Sequence, residues 1–413
     1  MTIATASQKS SFRIIGVIGA GHFISHFYLL VLPPLFPLLK DAFGVSYTSL
    51  GLLITVFSIV SGFAHIPMGF LVDRFGARNL LILGMFLEAI AFLLMGWIGT
   101  YEGILICIFL AGLANSVYHP ADYAILSASV DDSRMGQAFS LHTFAGFSGG
   151  AVAPLTVIFI AATWNWQMAF IATGIFGLIL TALVVINRDL LEDRRPAEGT
   201  TNNEGGSAAK TDSGQSGMAL LFSMPILMCF LFFVMLAMSA GGINTYAISA
   251  FVSTHGLTEE GAGIALTGFL VGTSLGILLG GYVADRTRHH ERVAMFSFTA
   301  TAAIVFAIGM VQFPLILLTA MMLIGGLLYG MIMPSRDMLV RAVTPEGSMG
   351  KVFGFVSTGL NVGSAITPLL FGYILDSGNP RYLFFTVPIF MLLAVGTVIA
   401  TKMASTNKVL PNK

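Results

Sequence analysis

Residues Gly69 to Arg78 read GFLVDRFGAR. The stretch ends one long apolar segment, and Asn79-Leu80-Leu81 starts the next without a spacer. Two arginines and an aspartate in a tight, glycine-bearing turn between hydrophobic runs make a very short loop at a membrane surface. Arginine-rich loops stay cytoplasmic, so this turn also orients the chain. A degenerate copy, Gly281-Tyr282-Val283-Ala284-Asp285-Arg286-Thr287-Arg288, stands in the second half. A chain that carries one such loop twice reads as a duplicated helical bundle.

The composition agrees. The chain is 56% hydrophobic and 10% charged, with a mean hydropathy of +0.86. Soluble domains carry roughly 25% charged residues, and 46 glycines suit helices packed closely in lipid. Net charge is zero, which points away from nucleic acid. Cys107 and Cys229 both lie in apolar runs and read as core residues rather than a disulfide or metal pair. The first dozen residues are polar and the first apolar run lacks a cleavage site, so no signal peptide is expected.

Apolar runs of bilayer-spanning length recur twelve times, from 13–38 to 382–402. They fall into two sets of six, which predicts an all-α membrane protein. An N-terminal bundle covers 1–187, a polar cytoplasmic linker 188–217, and a C-terminal bundle 218–413. The linker is rich in Gly, Thr, Asn, Ser and Glu and reads as disordered. Arg74, Arg78, Arg134, Arg188, Arg194, Arg195, Lys210, Arg286, Arg288, Arg292, Arg341 and Lys351 fall on one side, with Lys9, Arg13, Lys402, Lys408 and Lys413 at the termini. The other side holds Lys40 and Arg381. That imbalance predicts cytoplasmic termini.

The duplication can be followed residue by residue. Met135-Gly136-Gln137-Ala138-Phe139 opens the fifth span, and Met349-Gly350-Lys351-Val352-Phe353 opens the eleventh. At the same offset Gly112 matches Gly326, Pro120 matches Pro334, Gly149 matches Gly363 and Pro154 matches Pro368. Parallel six-helix repeats are a known transporter plan, with the substrate site between the halves.

Over essentially its whole length the chain resembles the major facilitator superfamily, whose signature Gly69–Arg78 matches between the second and third spans. Two stretches are similar to the fosmidomycin-resistance branch of bacterial permeases. One runs from His26-Phe27 through Leu32-Pro33-Pro34 to Tyr47; the other is Tyr118-His119-Pro120-Ala121. The resemblance implies two pseudo-symmetric six-helix bundles that rock about a central site, in a monomer of the bacterial inner membrane. It also implies a conformational latch. Asp73 would face the start of the eleventh span in the outward-open state, favoured by the helix dipole. Gly69 would let the second and eleventh spans approach, with Gly76 in the turn and Arg74, Arg78 and Arg134 completing the charge cluster. Otherwise these residues only anchor a turn. Asp285 and Arg286 belong to the second copy, which departs from the pattern after Arg286.

Ionisable residues within spans are costly and so are functional candidates. Asp122 and Arg336 occupy equivalent repeat positions, each two residues after its proline. Across a central cavity they can meet and form a gate; alternatively, Asp337 satisfies Arg336 locally. Arg336 also favours an acidic substrate, because its forked donors suit a carboxylate or phosphonate. His22, His65, His119 and His142 fall at similar depths, roughly 9–14 Å from the cytoplasmic ends, and His22 and His26 share a helix face. With Asp122, His22, His119 and His142 are candidates for proton coupling; hydrogen-bonded packing is the competing reading, and His65 is the least central. Tyr28, Asn244 and Tyr246 read either as cavity polar groups or as structural ones, and Glu88 as paired or protonated structure. No metal site or cofactor is expected.

The expected function is proton-coupled export of a small anionic or amphiphilic organic compound. Uptake of a small organic anion, an uncoupled facilitator and a metal-ion exporter are the alternatives. The sequence shows no catalytic triad spacing or phosphate loop, so an enzyme is not expected.

Overall fold

The structure is a computed structural model describing residues 2–130, 134–191, 220–287, 289–345 and 348–407. Most of the expected linker lies outside the described residues, as do Arg194, Arg195, Lys210, Arg288, Lys408 and Lys413. The first half contains α1 (Thr2–Leu29), α2 (Phe36–Phe43), α3 (Tyr47–Phe75), α4 (Ala77–Ile98), α5 (Tyr101–Asn115), α6 (Tyr118–Ser129), α7 (Met135–Thr163) and α8 (Trp166–Ile186). The second contains α9 (Met224–His255), α10 (Glu259–Arg286), α11 (His290–Met310), α12 (Leu315–Val343), α13 (Met349–Asp376) and α14 (Tyr382–Asn407). Together they supply 12 described segments long and apolar enough to cross a membrane.

Helix ends follow local chemistry. Ser46, Thr100, Asn165 and Thr258 each accept a backbone N–H from three residues on, capping α3, α5, α8 and α10. Between α3 and α4, Gly76 has φ 92°, a conformation closed to most side chains, which lets the chain reverse within one residue.

Two expected continuous spans are broken. The first is interrupted at Pro33-Pro34, where a 3-10 turn joins α1 to α2. The fourth is interrupted at Ser116-Val117, because Pro120 has no N–H for the Ser116 carbonyl. The seventh runs as α9 to His255, where left-handed Gly256 stops it.

The repeat holds in space. Gly112 of α5 packs on the Phe57 backbone of α3, and its counterpart Gly326 of α12 on Phe269 of α10. Likewise Gly149 of α7 meets Phe23 of α1, and Gly363 of α13 meets Val234 of α9. Gly272, Gly276 and Gly280 face α12 backbone at Leu323, Leu327 and Met331, a small-residue seam that brings two helices close. Large apolar side chains such as Phe63, Trp97 and Ile316 point outward, as expected of a lipid-facing surface.

The halves meet at one end. Asp376 at the end of α13 accepts hydrogen bonds from the Tyr47 and Thr48 backbone at the start of α3, both 2.8 Å. The Tyr246 hydroxyl donates to Pro368 O at 2.6 Å and lies 3.1 Å from Tyr47 O. Tyr246 is therefore a clasp between halves, not a cavity-lining group. Thr55 donates to Ala365 O, and Asn361 packs on Gly62. Beyond Gly62 and Asn361, the described hydrogen bonds of α3 and α13 stay within their own halves.

Candidate functional site

The histidines come together inside the first half. α1 presents His22 and His26, α3 His65, α6 His119 and Asp122, and α7 His142. Asp122 is completely buried, and its Oδ2 lies 2.9 Å from His142 Nε2, a hydrogen bond, and 3.5 Å from His22 Nδ1. The rings of His22 and His142 stack at 3.7 Å. His26 and His119 lie against His22, with centroids at 4.6 and 5.2 Å, and His65 stands 6.1 Å from His119. His65 Nδ1 also lies 2.6 Å from the Ser61 carbonyl. His119 is exposed and stacks on Tyr123.

A buried carboxylate needs compensation, and the groups within reach of Asp122 are imidazoles. One proton shared between Asp122 and His142 gives either a neutral pair or an ion pair, so the cluster accepts it without stranding a charge. Two stacked imidazoles resist a second positive charge. Asp122 Oδ1 and the Nδ1 atoms of His22 and His142 are buried without hydrogen-bond partners, leaving capacity for a ligand or proton. One atom each from His22, Asp122 and His142 lie within 4.8 Å of one another, close enough to hold a metal ion. Asp122 supplies the oxygen donor of that set.

Gly146 makes the cluster possible. A Cβ there would lie 2.5 Å from His22 Cδ2 and 3.0 Å from His26 Cδ2. Sequence reading missed this glycine and Tyr123, since neither belongs to a motif.

Arg336 does not meet Asp122 in this conformation. Its Nε donates to Asp337 Oδ1 at 2.8 Å, and its guanidinium lies 4.7 Å from the Phe233 ring centre. It lines a cavity of about 450 Å³ within the second half, with Phe232, Leu339 and Lys402. The pairing expected across the centre is replaced by the neighbouring carboxylate. Tyr28 is buried and stacked on Phe92 at 4.4 Å, inside the first half rather than on a central cavity. Asn244 is half-buried, with Oδ1 unpartnered.

Of the expected latch residues, Asp73 and Gly69 are open to their surroundings in this conformation. Asp73 is exposed and forms no described ion pair, and nothing lies within 4 Å of a Cβ at Gly69. Arg74 lies over Phe75. Arg78 donates to the carbonyls of Arg188 and Leu191 in its own half. Arg134 is half-buried with one unpartnered N–H group. Arg286 packs on Tyr282, and Asp285 is exposed. Close approach between α3 and α13 occurs instead at the opposite end, around Gly51 and Pro368.

Residues 18–258 and 230–410 match the model of the Major Facilitator Superfamily. The chain belongs to this superfamily. It is a multi-pass membrane transporter that moves a small solute by alternating access, and not an enzyme. It is 22% identical over 283 residues to the fosmidomycin resistance protein of Escherichia coli (strain K12), covering 68% of each chain. It is 26% identical over 363 residues to the glycerol-3-phosphate transporter of Bacillus subtilis (strain 168), covering 81% of this chain and 80% of that one. Among solved structures, an inward-facing, unoccupied bacterial homolog of the human lysosomal transporter Spinster superposes with a TM-score of 0.76 at 12% identity. That match covers 95% of this chain and 97% of the other. The nucleoside transporter NupG gives 0.75 at 14%, covering 94% and 99%.

Proposed function

We propose that this superfamily member is a proton-coupled exporter of a small anionic or amphiphilic organic compound in the bacterial inner membrane, working as a monomer. The observation that carries this reading is the complete burial of Asp122 among imidazoles. Such a carboxylate can hold a proton in one conformation and yield it to a histidine in another, which is the exchange that coupling requires. Arginines on the loops favour cytoplasmic termini. With that orientation, the clasp of Asp376 and Tyr246 closes the outer end, and the cluster is reached from the cytoplasm. Arg336, with Asp337 and Asn244, is the second half's candidate for an acidic cargo. Relatives named for fosmidomycin resistance and glycerol-3-phosphate transport support efflux and an anionic cargo respectively.

A second reading rests on the same cluster. His22, Asp122 and His142 offer a transition-metal ion nitrogen and oxygen donors within one small volume, so the cargo can be the metal itself. Proteoliposomes loaded with a pH dye distinguish the two. Proton movement triggered by an acidic metabolite or phosphonate, and abolished by Asp122→Asn, supports the first. Metal flux without such movement supports the second.

A further inference from the structure

Glu88 of α4 has no exposed surface and stands against the break in the fourth span. Asn115, the last residue of α5, donates from Nδ2 to Glu88 Oε1 at 3.2 Å. Tyr118, the first residue of α6, brings its hydroxyl beside the same carboxyl, and Tyr28 of α1 lies near enough to interact with its charge. These two phenols are the titratable groups that interact with Glu88 from the packed helices. Glu88 Oε2 and both phenolic oxygens are buried without a hydrogen-bond partner.

The same place is linked to the histidines. Asn115 Oδ1 lies 3.5 Å from Ser61 Oγ, and the Ser61 carbonyl lies 2.6 Å from His65 Nδ1. His65 leads to His119, and His119 to His22. A file of polar groups in the first half therefore joins Glu88 to the Asp122 cluster. Glu88 also touches both sides of the helix break, and the α6 side carries His119 and Asp122.

We propose that Glu88 is a second proton-binding carboxyl, coupled to Asp122 through the break in the fourth span. The inference extends the proton-coupled reading above. The surroundings suit both protonation states. An ionised carboxylate can accept from the Asn115 amide and from the Tyr118 hydroxyl; a neutral one can donate its proton to the Tyr118 oxygen. A tilt of α6 at Ser116-Val117 moves Tyr118 relative to Glu88 and, in the same motion, Asp122 relative to His22 and His142. The proton that Glu88 releases goes to water on the side where His119 is exposed.

Infrared difference spectra of the purified protein, taken between acid and alkaline pH, test this. The wild type is expected to show two pH-responsive carbonyl bands of neutral carboxylic acid. Glu88→Gln should remove one and Asp122→Asn the other. Tyr118→Phe, which keeps the ring in its place, should shift the Glu88 band, and Glu88→Gln should displace the pH profile of transport. A spectrum unaltered by Glu88→Gln, or a Glu88 band indifferent to Tyr118→Phe, overturns the proposal. If Glu88→Gln disrupts the fold, seen as loss of a monodisperse peak, the Tyr118→Phe band still decides. A Glu88 band that responds to pH in a protein without solute-driven proton flux would sink the coupling reading and leave this one standing.

Discussion

Asp376 caps α3 from the other half: its Oδ2 accepts from the Thr48 backbone at 2.8 Å and from the Thr48 hydroxyl at 2.6 Å. A carboxylate at a helix N-terminus gains from free N–H groups and the dipole, so this contact holds one end of the transporter shut.

Asp376→Ala should therefore loosen that end. Loss of a cap costs about 1–2 kcal/mol, enough to move a two-state equilibrium roughly 5–30-fold. Spin labels near the starts of α3 and the ends of α13 should report a larger separated population. An unchanged distance distribution would show that the remaining contacts, Tyr246 with Tyr47 and Thr55 with Ala365, close this end.

Asp122→Asn should bind cargo but lose pH-driven accumulation, because an amide can hydrogen-bond to His142 and cannot exchange a proton. Solute exchange across equal pH should persist in the variant. Retained uphill transport would remove Asp122 from the coupling step.

Gly146→Ala places a methyl group against His22 and His26. Overpacking of this kind costs typically 1–3 kcal/mol. The expected result is a protein of lowered thermal stability with weakened transport. Wild-type behaviour would mean that α1 and α7 separate easily there.

Arg336→Lys should transport nearly as poorly as Arg336→Ala. Lysine cannot reproduce both the Asp337 contact and the face-on packing against Phe233. Cargo KM, measured in vesicles, is the readout; a lysine variant with normal KM would reduce the role to simple charge.

Asp73→Asn should slow cycling and spare cargo affinity, since Asp73 is unengaged in the present conformation and its proposed partner is the start of α13 in the opposite one. Normal turnover would leave the loop as a turn anchor only.

Spans and repeats were legible because they are local. A run of apolar residues must satisfy its backbone within itself when it enters lipid, so length and composition reveal a helix before any packing is known. The paired positions Gly112 and Gly326, or Gly149 and Gly363, could be matched by offset alone, since close helix packing constrains residue size at the same point in each repeat. The histidines were visible as rare polar residues at one depth. Depth does not say which way a helix is turned.

Tertiary structure decided the partners. Asp122 and Arg336 share a repeat position and carry opposite charges, yet Asp122 meets His142 and Arg336 meets Asp337. Which side chains meet depends on helix rotation, on the break at Ser116-Val117 and on which end of the two halves is closed. Gly146 became important only once α1 was laid against α7, and Glu88 only once α4 was found beside the broken fourth span. Sequence by itself determined a duplicated bundle of membrane helices, through the cost of placing unpaired backbone in lipid. The buried clusters came from contacts among residues far apart in the chain, whose geometry is set by packing between helices and has no local signature.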